Sequence, residues 1–549
     1  MIPHVLVSGL AASALVSGAL ASSAPIVKTS YGKVLGTTSE YVDGINVWKN
    51  IPHAAPPTGE RRFKAPVKPS RWDGVRNATV FGPQCMQPNT GSSIFTIGSD
   101  YMSEDCLSVN IWAPANATAG DNLPVYMWIY GGRFYVGSND VPTYDGASLA
   151  SQGMIVVTIN YRLGVLGFMA HPELSAEAGA HNSSGNYGVL DMISALEWVH
   201  EEIAQFGGNP DHITVGGQSA GSSGALDMMY SPLTEGLGVV GVIAETGARG
   251  VRDPMMGGAS TSYRQKENAE NYGQIFLESL NMTSIAELRA LNASDLTSYG
   301  FSNGIWYEPT PYVNITAFME PPEWRPVHDG YVLPLGYGES LRQNSHRDVP
   351  ILTGNNKDES GAEETQDYTL ASFKTDFDNL FSYGTKQNLS ARFYELYPAT
   401  TADEADDAVN EFYRDLSRTG TWDWALDWAK GGAQSDVYTY YWTHAPPTEG
   451  SGGAFHGSEL YYAFHSIPYG ATTANWTSTD YAIADRMRAY WANFIKTGNP
   501  NGDGLPTWDP SKKNATTMWL GDSWGMGATA ESQARINLIR DWFSYNVEW

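Results

Sequence analysis

Short apolar runs alternate with loop signals through the first part of the chain. Leu107-Ser-Val-Asn-Ile-Trp112, Val125-Tyr-Met-Trp-Ile-Tyr130 and Met154-Ile-Val-Val-Thr-Ile-Asn160 read as strands. The period then changes. Ile193, Leu196, Val199 and Ile203 recur at helical spacing, which predicts a helix from about Leu190 to Phe206. A short strand, Ile213-Thr-Val215, comes next, followed by a helix-like run from Ser222 to Met229. Strands alternating with helices imply an α/β fold with a mostly parallel sheet. Residues 260 to 430 are richer in helical pattern, with Asn, Ser and Pro punctuation, and predict an insertion that caps the sheet. Tyr481 to Lys496 predicts a last helix, stopped by Gly498-Asn-Pro500. No repeat, low-complexity linker or charge block marks a boundary, so 22–549 is read as one domain.

The first residues stand apart. Val5 to Leu20 is apolar and small-residue rich, and Ala19-Leu20-Ala21 offers an A-x-A cleavage site, so 1–21 reads as a signal peptide. The run is short for a membrane span and broken by Ser8, Gly9, Ser13, Ser17 and Gly18. Sequons at Asn77, Asn116, Asn182, Asn281, Asn292, Asn314, Asn388, Asn475 and Asn514 agree with a secretory route and a glycosylated, extracellular product. The only two cysteines, Cys85 and Cys106, would then meet an oxidising lumen and could pair. Closing that loop is worth about 3 kcal/mol in the chain-entropy model.

Composition narrows the function classes. With 549 residues, 42% of them hydrophobic, there is apolar side chain for a large core. A formal charge of −26 makes nucleic acid or an anionic membrane a poor partner. Two cysteines exclude a Cys-rich metal site, and no Gly-rich loop runs into Lys-Ser/Thr, which argues against a P-loop enzyme.

The most specific motif is Gly217-Gln218-Ser219-Ala220-Gly221. It lies between a strand and a helix-like run, where a sharp turn lifts a serine above the sheet. A serine nucleophile needs a base, and the base an orienting acid, in chain order Ser, acid, His for this fold class. His328, His346, His444, His456 and His465 follow the serine. His456 stands out in Gly452-Gly-Ala-Phe-His456-Gly457, with His444 as its competitor. The acid comes from Asp358-Glu359, after the strand-like Val349 to Thr353, and composition does not choose between the two. Oxyanion donors are expected from Ala220 and from Tyr130-Gly131-Gly132-Arg133-Phe134.

Together these segments resemble the type-B carboxylesterases, the cholinesterase-like α/β hydrolases. Phe206-Gly-Gly-Asn-Pro-Asp-His-Ile-Thr-Val-Gly-Gly-Gln-Ser-Ala-Gly221 is similar to the family's nucleophile signature, and Glu104-Asp105-Cys106-Leu107-Ser108-Val109-Asn110 to its second one. Asn160 to Phe168, Gly185 to Asp191, Phe455-His456-Gly457 and Asn493 to Pro500 are family-like as well. The resemblance implies an α/β-hydrolase fold, a Ser219–His456–Glu359 triad, an oxyanion hole of the Gly132, Arg133 and Ala220 amides, and a Cys85–Cys106 disulfide. It also implies structural ion pairs Arg62–Glu104 and Arg162–Asp191, a small-molecule ester as substrate, and no metal or organic cofactor. Gln218 and Arg133 replace the usual Glu and Gly, and the Cys85–Cys106 loop lacks a tryptophan, which argues against a choline ester. Arg133 raises the expectation of esters with a negative group. A lipase and a non-catalytic adhesion module are the alternatives, and an ester of a secondary metabolite is a subtype of the leading reading.

Overall fold

The computed structural model describes residues 24–255, 264–299, 322–382, 389–448, 452–467, 469–470, 473–512, 514–546 and 548. The proposed signal peptide, Asn314 and Asn388 lie outside them. An eleven-stranded sheet organises the rest. In chain order its strands are β1 (Thr37–Thr38), β2 (Ile45–Pro52), β3 (Ser108–Pro114), β4 (Leu123–Ile129), β5 (Ile155–Ile159), β6 (Gly208–Gln218), β7 (Val239–Glu245), β8 (Ile351–Asn356), β9 (Val437–Trp442), β10 (Thr516–Leu520) and β11 (Gly525–Ala528). In space they follow β11-β10-β9-β8-β7-β6-β4-β5-β3-β2-β1.

From β5 to β10 every pairing is parallel, as the alternating pattern predicts. The flanks depart from it: β1, β2, β3 and β11 pair antiparallel. The short Gly521–Trp524 connection explains β11, since only antiparallel neighbours can be joined by so tight a turn. Val125, Met127, Trp128 and Ile129 are completely buried, as are Ile155, Val156, Val157 and Ile159. Strands buried on both faces read as continuous apolar runs, so these two were visible in the sequence.

Helices α1 (Tyr187–Glu202), α2 (Ala220–Tyr230), α3 (Leu370–Ser382), α4 (Leu389–Leu396), α5 (Ala402–Gly431), α6 (Ser478–Thr497) and α7 (Gln533–Phe543) matter most here. α1 begins earlier than its apolar spacing predicts, and the expected last turn, Ile203–Phe206, is a 3-10 helix ended by Gly207 at φ 93°. α6 starts in a capping box, with Thr477 and Asp480 satisfying each other's backbone N–H, and stops at Gly498. The expected helical insertion of residues 260 to 430 is interrupted by β8 of the sheet, and its helices share a core with α7 from the end of the chain. Phe373, Phe377, Phe381, Phe393, Phe412 and Trp542 join α3, α4, α5 and α7, with Phe377 and Phe393 stacked 4.2 Å apart.

Cys85 and Cys106 are disulfide-bonded. Arg62 grips Glu104 with two bonds of 2.7 and 2.6 Å and caps the carbonyls of Arg289 and Leu291. Arg162 holds Asp191 in the same bidentate manner. Arg62, Arg162 and Asp191 are buried and Glu104 nearly so, and both pairs are architectural. Every described sequon asparagine, namely Asn77, Asn116, Asn182, Asn281, Asn292, Asn475 and Asn514, is exposed.

Candidate active site

β6 turns into α2 through a single residue, Ser219, at φ 57° and ψ −123°. Such a backbone costs a non-glycine residue about 1–3 kcal/mol and persists only when its surroundings impose it. Two close approaches do so. A Cβ on Gly217 would stand 2.2 Å from the Gly221 carbonyl oxygen, and one on Gly221 would stand 2.0 Å from that of Ile129. The Ser219 N–H donates to the Glu245 carbonyl at 2.9 Å, which pins the turn to β7. The N-terminus of α2 lies directly behind the serine, where its dipole favours developing negative charge.

The loop after β4 faces the same point. Gly132, Arg133 and Phe134 all have positive φ, at 102°, 59° and 59°. A Cβ on Gly132 would stand 2.1 Å from the Val136 carbonyl oxygen, so the turn admits only glycine there. Among the described residues, the N–H groups of Gly132 and Ala220 donate to no acceptor. Backbone donors at such a site are normally paired, and two left over beside a serine fit an anion that arrives with the reaction.

The two acid candidates, between which composition did not choose and the resemblance favoured Glu359, face different partners. Glu359 accepts the Asn356 N–H at 2.8 Å with Oε1 and faces His456 Nδ1 at 2.7 Å with Oε2. Asp358 turns the other way, to Arg414 at 2.6 Å and to the Ala454 N–H at 2.8 Å. A backbone bridge between Asp358 and Phe455 ties the acid loop to the loop carrying His456. The competing base, His444, is held between Asp480 and Asp522 and serves the structure. Burial opposes charge on His456, yet the hydrogen bond and charge of Glu359, and the charge of Glu459, outweigh it and raise the imidazole above its ordinary value. Because Glu359 is acceptor-only, the neutral imidazole carries its proton on Nδ1 and leaves Nε2 as the basic nitrogen.

Ser219, His456, Glu359 and Arg133 line one cavity of about 660 Å³. The loop after Glu359 and α3 also line it, with Glu363, Gln366, Asp367, Tyr368 and Asp376. Phe95, Glu459 and Glu245 were not singled out by the sequence, and Gln218 was noted only as a departure from the family pattern. Phe95, from the disulfide loop, lies 6.1 Å from the His456 ring. Gln218 places its amide against the same imidazole. Glu459 is buried behind it and held by Asn356; burial and the nearby Glu359 raise it to about 7. Glu245, on the strand beside Gln218, is pushed well above the carboxylate range by burial and by Glu459. Among the described residues, no group of His, Cys, Asp and Glu is arranged to hold a metal ion, and no helix is long and apolar enough to cross a membrane.

Residues 23–531 match the model of the carboxylesterase family. The chain is 33% identical to para-nitrobenzyl esterase of Bacillus subtilis over 488 residues, covering 87% of this chain and 91% of that one. It is 32% identical to fumonisin B1 esterase of Sphingopyxis macrogoltabida, covering 89% and 86%. The solved structure of a thermophilic PNB esterase superposes with a TM-score of 0.74 at 31% identity, over 94% of this chain and all of that one. A Geobacillus stearothermophilus carboxylesterase superposes at 0.72 with 30% identity, over 94% and 99%. The chain is therefore an α/β hydrolase that cleaves carboxylic esters, and it belongs to the carboxylesterase family.

Proposed function

We propose that the chain is a secreted serine carboxylesterase acting through Ser219, His456 and Glu359. His456 Nε2 takes the Ser219 hydroxyl proton as Oγ attacks the ester carbonyl. The N–H groups of Gly132, Arg133 and Ala220 hold the resulting oxyanion. His456 then hands the proton to the leaving alcohol, and water attacks the acyl-serine by the same route in reverse. Glu359 keeps the imidazole in the Nδ1–H tautomer and supports its cationic form. The observation that carries this reading is the 2.7 Å His456–Glu359 contact opening onto the cavity that holds Ser219. A panel of esters tests it, with Ser219→Ala as control. Hydrolysis is expected to vanish in the variant, and an organophosphonate should label Ser219. A label on Ser222 or Ser223 would refute the assignment.

For the substrate we favour a neutral ester, of natural-product size, over an anionic or choline ester. The cavity volume lies in the range that takes such ligands. Its lining includes Glu363, Asp367 and Asp376 as well as Arg133, and these acids offset the attraction Arg133 has for an anion. That one relative is named for fumonisin B1 supports a secondary-metabolite ester. Comparing kcat/KM for a neutral ester, its carboxylate analogue and its ammonium analogue tests this, and a tenfold preference for the carboxylate would overturn it. Secretion predicts a mature N-terminus at Ser22, read by Edman sequencing of medium protein, and a mass shift on deglycosylation.

A further inference from the structure

The basic nitrogen of His456 already has a partner. The Gln218 side-chain nitrogen lies 3.3 Å from His456 Nε2. With the imidazole proton on Nδ1, Nε2 is an acceptor, and an amide N–H is the donor that fits it. Ser219 Oγ, by contrast, makes no hydrogen bond among the described residues. The contact is built rather than incidental. Gln218 is completely buried at the end of β6, in register with Glu245 of β7. Its amide is packed between two glycine loops: a Cβ on Gly131 would stand 3.2 Å from Oε1, and one on Gly457 would stand 3.6 Å from Nε2. The Oε1 end has no partner, so the His456 contact is the one polar bond of this side chain among the described residues.

We propose that Gln218 is a positioning residue that occupies His456 Nε2 in the resting enzyme, and that substrate entry exchanges its amide for the Ser219 hydroxyl. The proposal rests on the triad reading above. The serine is then engaged by its base only once a substrate closes the site.

The charge environment makes the idea testable. Glu359 faces the imidazole from the loop after β8, and Glu459 from its own loop, with Glu245 of β7 behind Glu459. Arg133 lines the same cavity, and Asp358 is tied to Arg414. A donor on Nε2 favours the neutral imidazole and so works against the pull of the two glutamates. Removing it should make His456 easier to protonate, and a carboxylate in its place should do so more strongly.

The experiment measures kcat/KM against pH for a p-nitrophenyl ester in wild type, Gln218→Met and Gln218→Glu, together with the NMR titration of the Nδ1–H proton. The acid limb is expected to move up by about half to one unit in Gln218→Met, the equivalent of one neutral hydrogen bond. In Gln218→Glu it should move by more than about one unit, with kcat recovering at high pH and the NMR midpoint moving equally. If Gln218→Met does not fold, the Gln218→Glu profile decides alone. Unmoved midpoints with kcat lowered evenly at all pH values would leave Gln218 as packing and overturn the proposal. Phosphonate labelling separates this from failure of the triad: an unlabelled Ser219 in wild type overturns both readings, whereas a labelled Ser219 with unmoved midpoints overturns only this one.

Discussion

Replacing Glu359 by glutamine should disable the base without removing it. The Asn356 N–H is a fixed backbone donor 2.8 Å from Glu359 Oε1. In Glu359→Gln the amide oxygen must therefore stay toward Asn356, which turns the NH₂ group toward His456 Nδ1. A donor there selects the imidazole tautomer protonated on Nε2, and that nitrogen can no longer accept the Ser219 proton. The equivalent acid-to-amide change in serine proteases costs about 10⁴ in kcat, or about 5.5 kcal/mol of transition-state stabilisation. The neighbouring Asp358→Asn is the internal control. It weakens the bonds to Arg414 and Ala454 but leaves the tautomer alone, so kcat should fall by less than about tenfold. The assay is kcat and kcat/KM on a p-nitrophenyl ester across pH 5–9, with melting temperatures recorded for each variant. In wild type, activity should be lost as pH falls through a midpoint above 6.5, because a raised imidazole takes its proton early. A Glu359→Gln enzyme that keeps about a tenth or more of its kcat, or an Asp358→Asn enzyme whose kcat falls by about 10⁴, would show that the tautomer argument is wrong.

Gly132→Ala places a methyl against the Val136 carbonyl at φ 102° and should lower kcat by about 10²-fold with KM little changed; a wild-type kcat would contradict the oxyanion assignment. Opening the Cys85–Cys106 disulfide with a double serine variant should cost about 3 kcal/mol in denaturant unfolding, and an unchanged midpoint would count against it. Glu459 keeps its proton up to about 7 in the folded protein against an ordinary 4.5, so its contribution to stability is present at low pH and lost as pH rises through that window. Glu459→Gln should therefore flatten the fall in melting temperature between pH 5 and pH 8, and parallel curves for variant and wild type would refute the buried-acid argument.

What the sequence disclosed follows from how far each constraint reaches. β4 and β5 were legible because both faces are covered, and the serine turn because its glycines answer to clashes within a few residues. β2 was missed because Asn46, Lys49 and Asn50 interrupt its apolar residues, and β11 because Gly-Met-Gly-Ala has no strand pattern. Asp358 and Glu359 are adjacent carboxylates that local pattern does not separate; the resemblance favours Glu359, and partners distant in the chain, His456 for Glu359 and Arg414 and Ala454 for Asp358, distinguish them in space. The same holds for Gln218, whose meeting with His456 spans 238 residues, and for Glu245 and Glu459, whose burial no local pattern announces.

The aromatic core shared by α3, α4, α5 and α7 gives the cavity wall a foundation of its own. Phe373 and Phe377 face that core, while Ser372 and Asp376, one residue earlier in each case, face the cavity. Recognition and chemistry thus meet on one helix: α5 carries Phe412 of that core and also Arg414, which holds the acid loop through Asp358. Ser219 answers to the turn between β6 and α2, whereas the α3 side of the cavity answers to a cluster of aromatic rings. Ser372 and Asp376 bond within their own segment and take no part in the hydrogen bonds of Glu359 and His456, which makes them the natural handle for changing which esters this scaffold accepts.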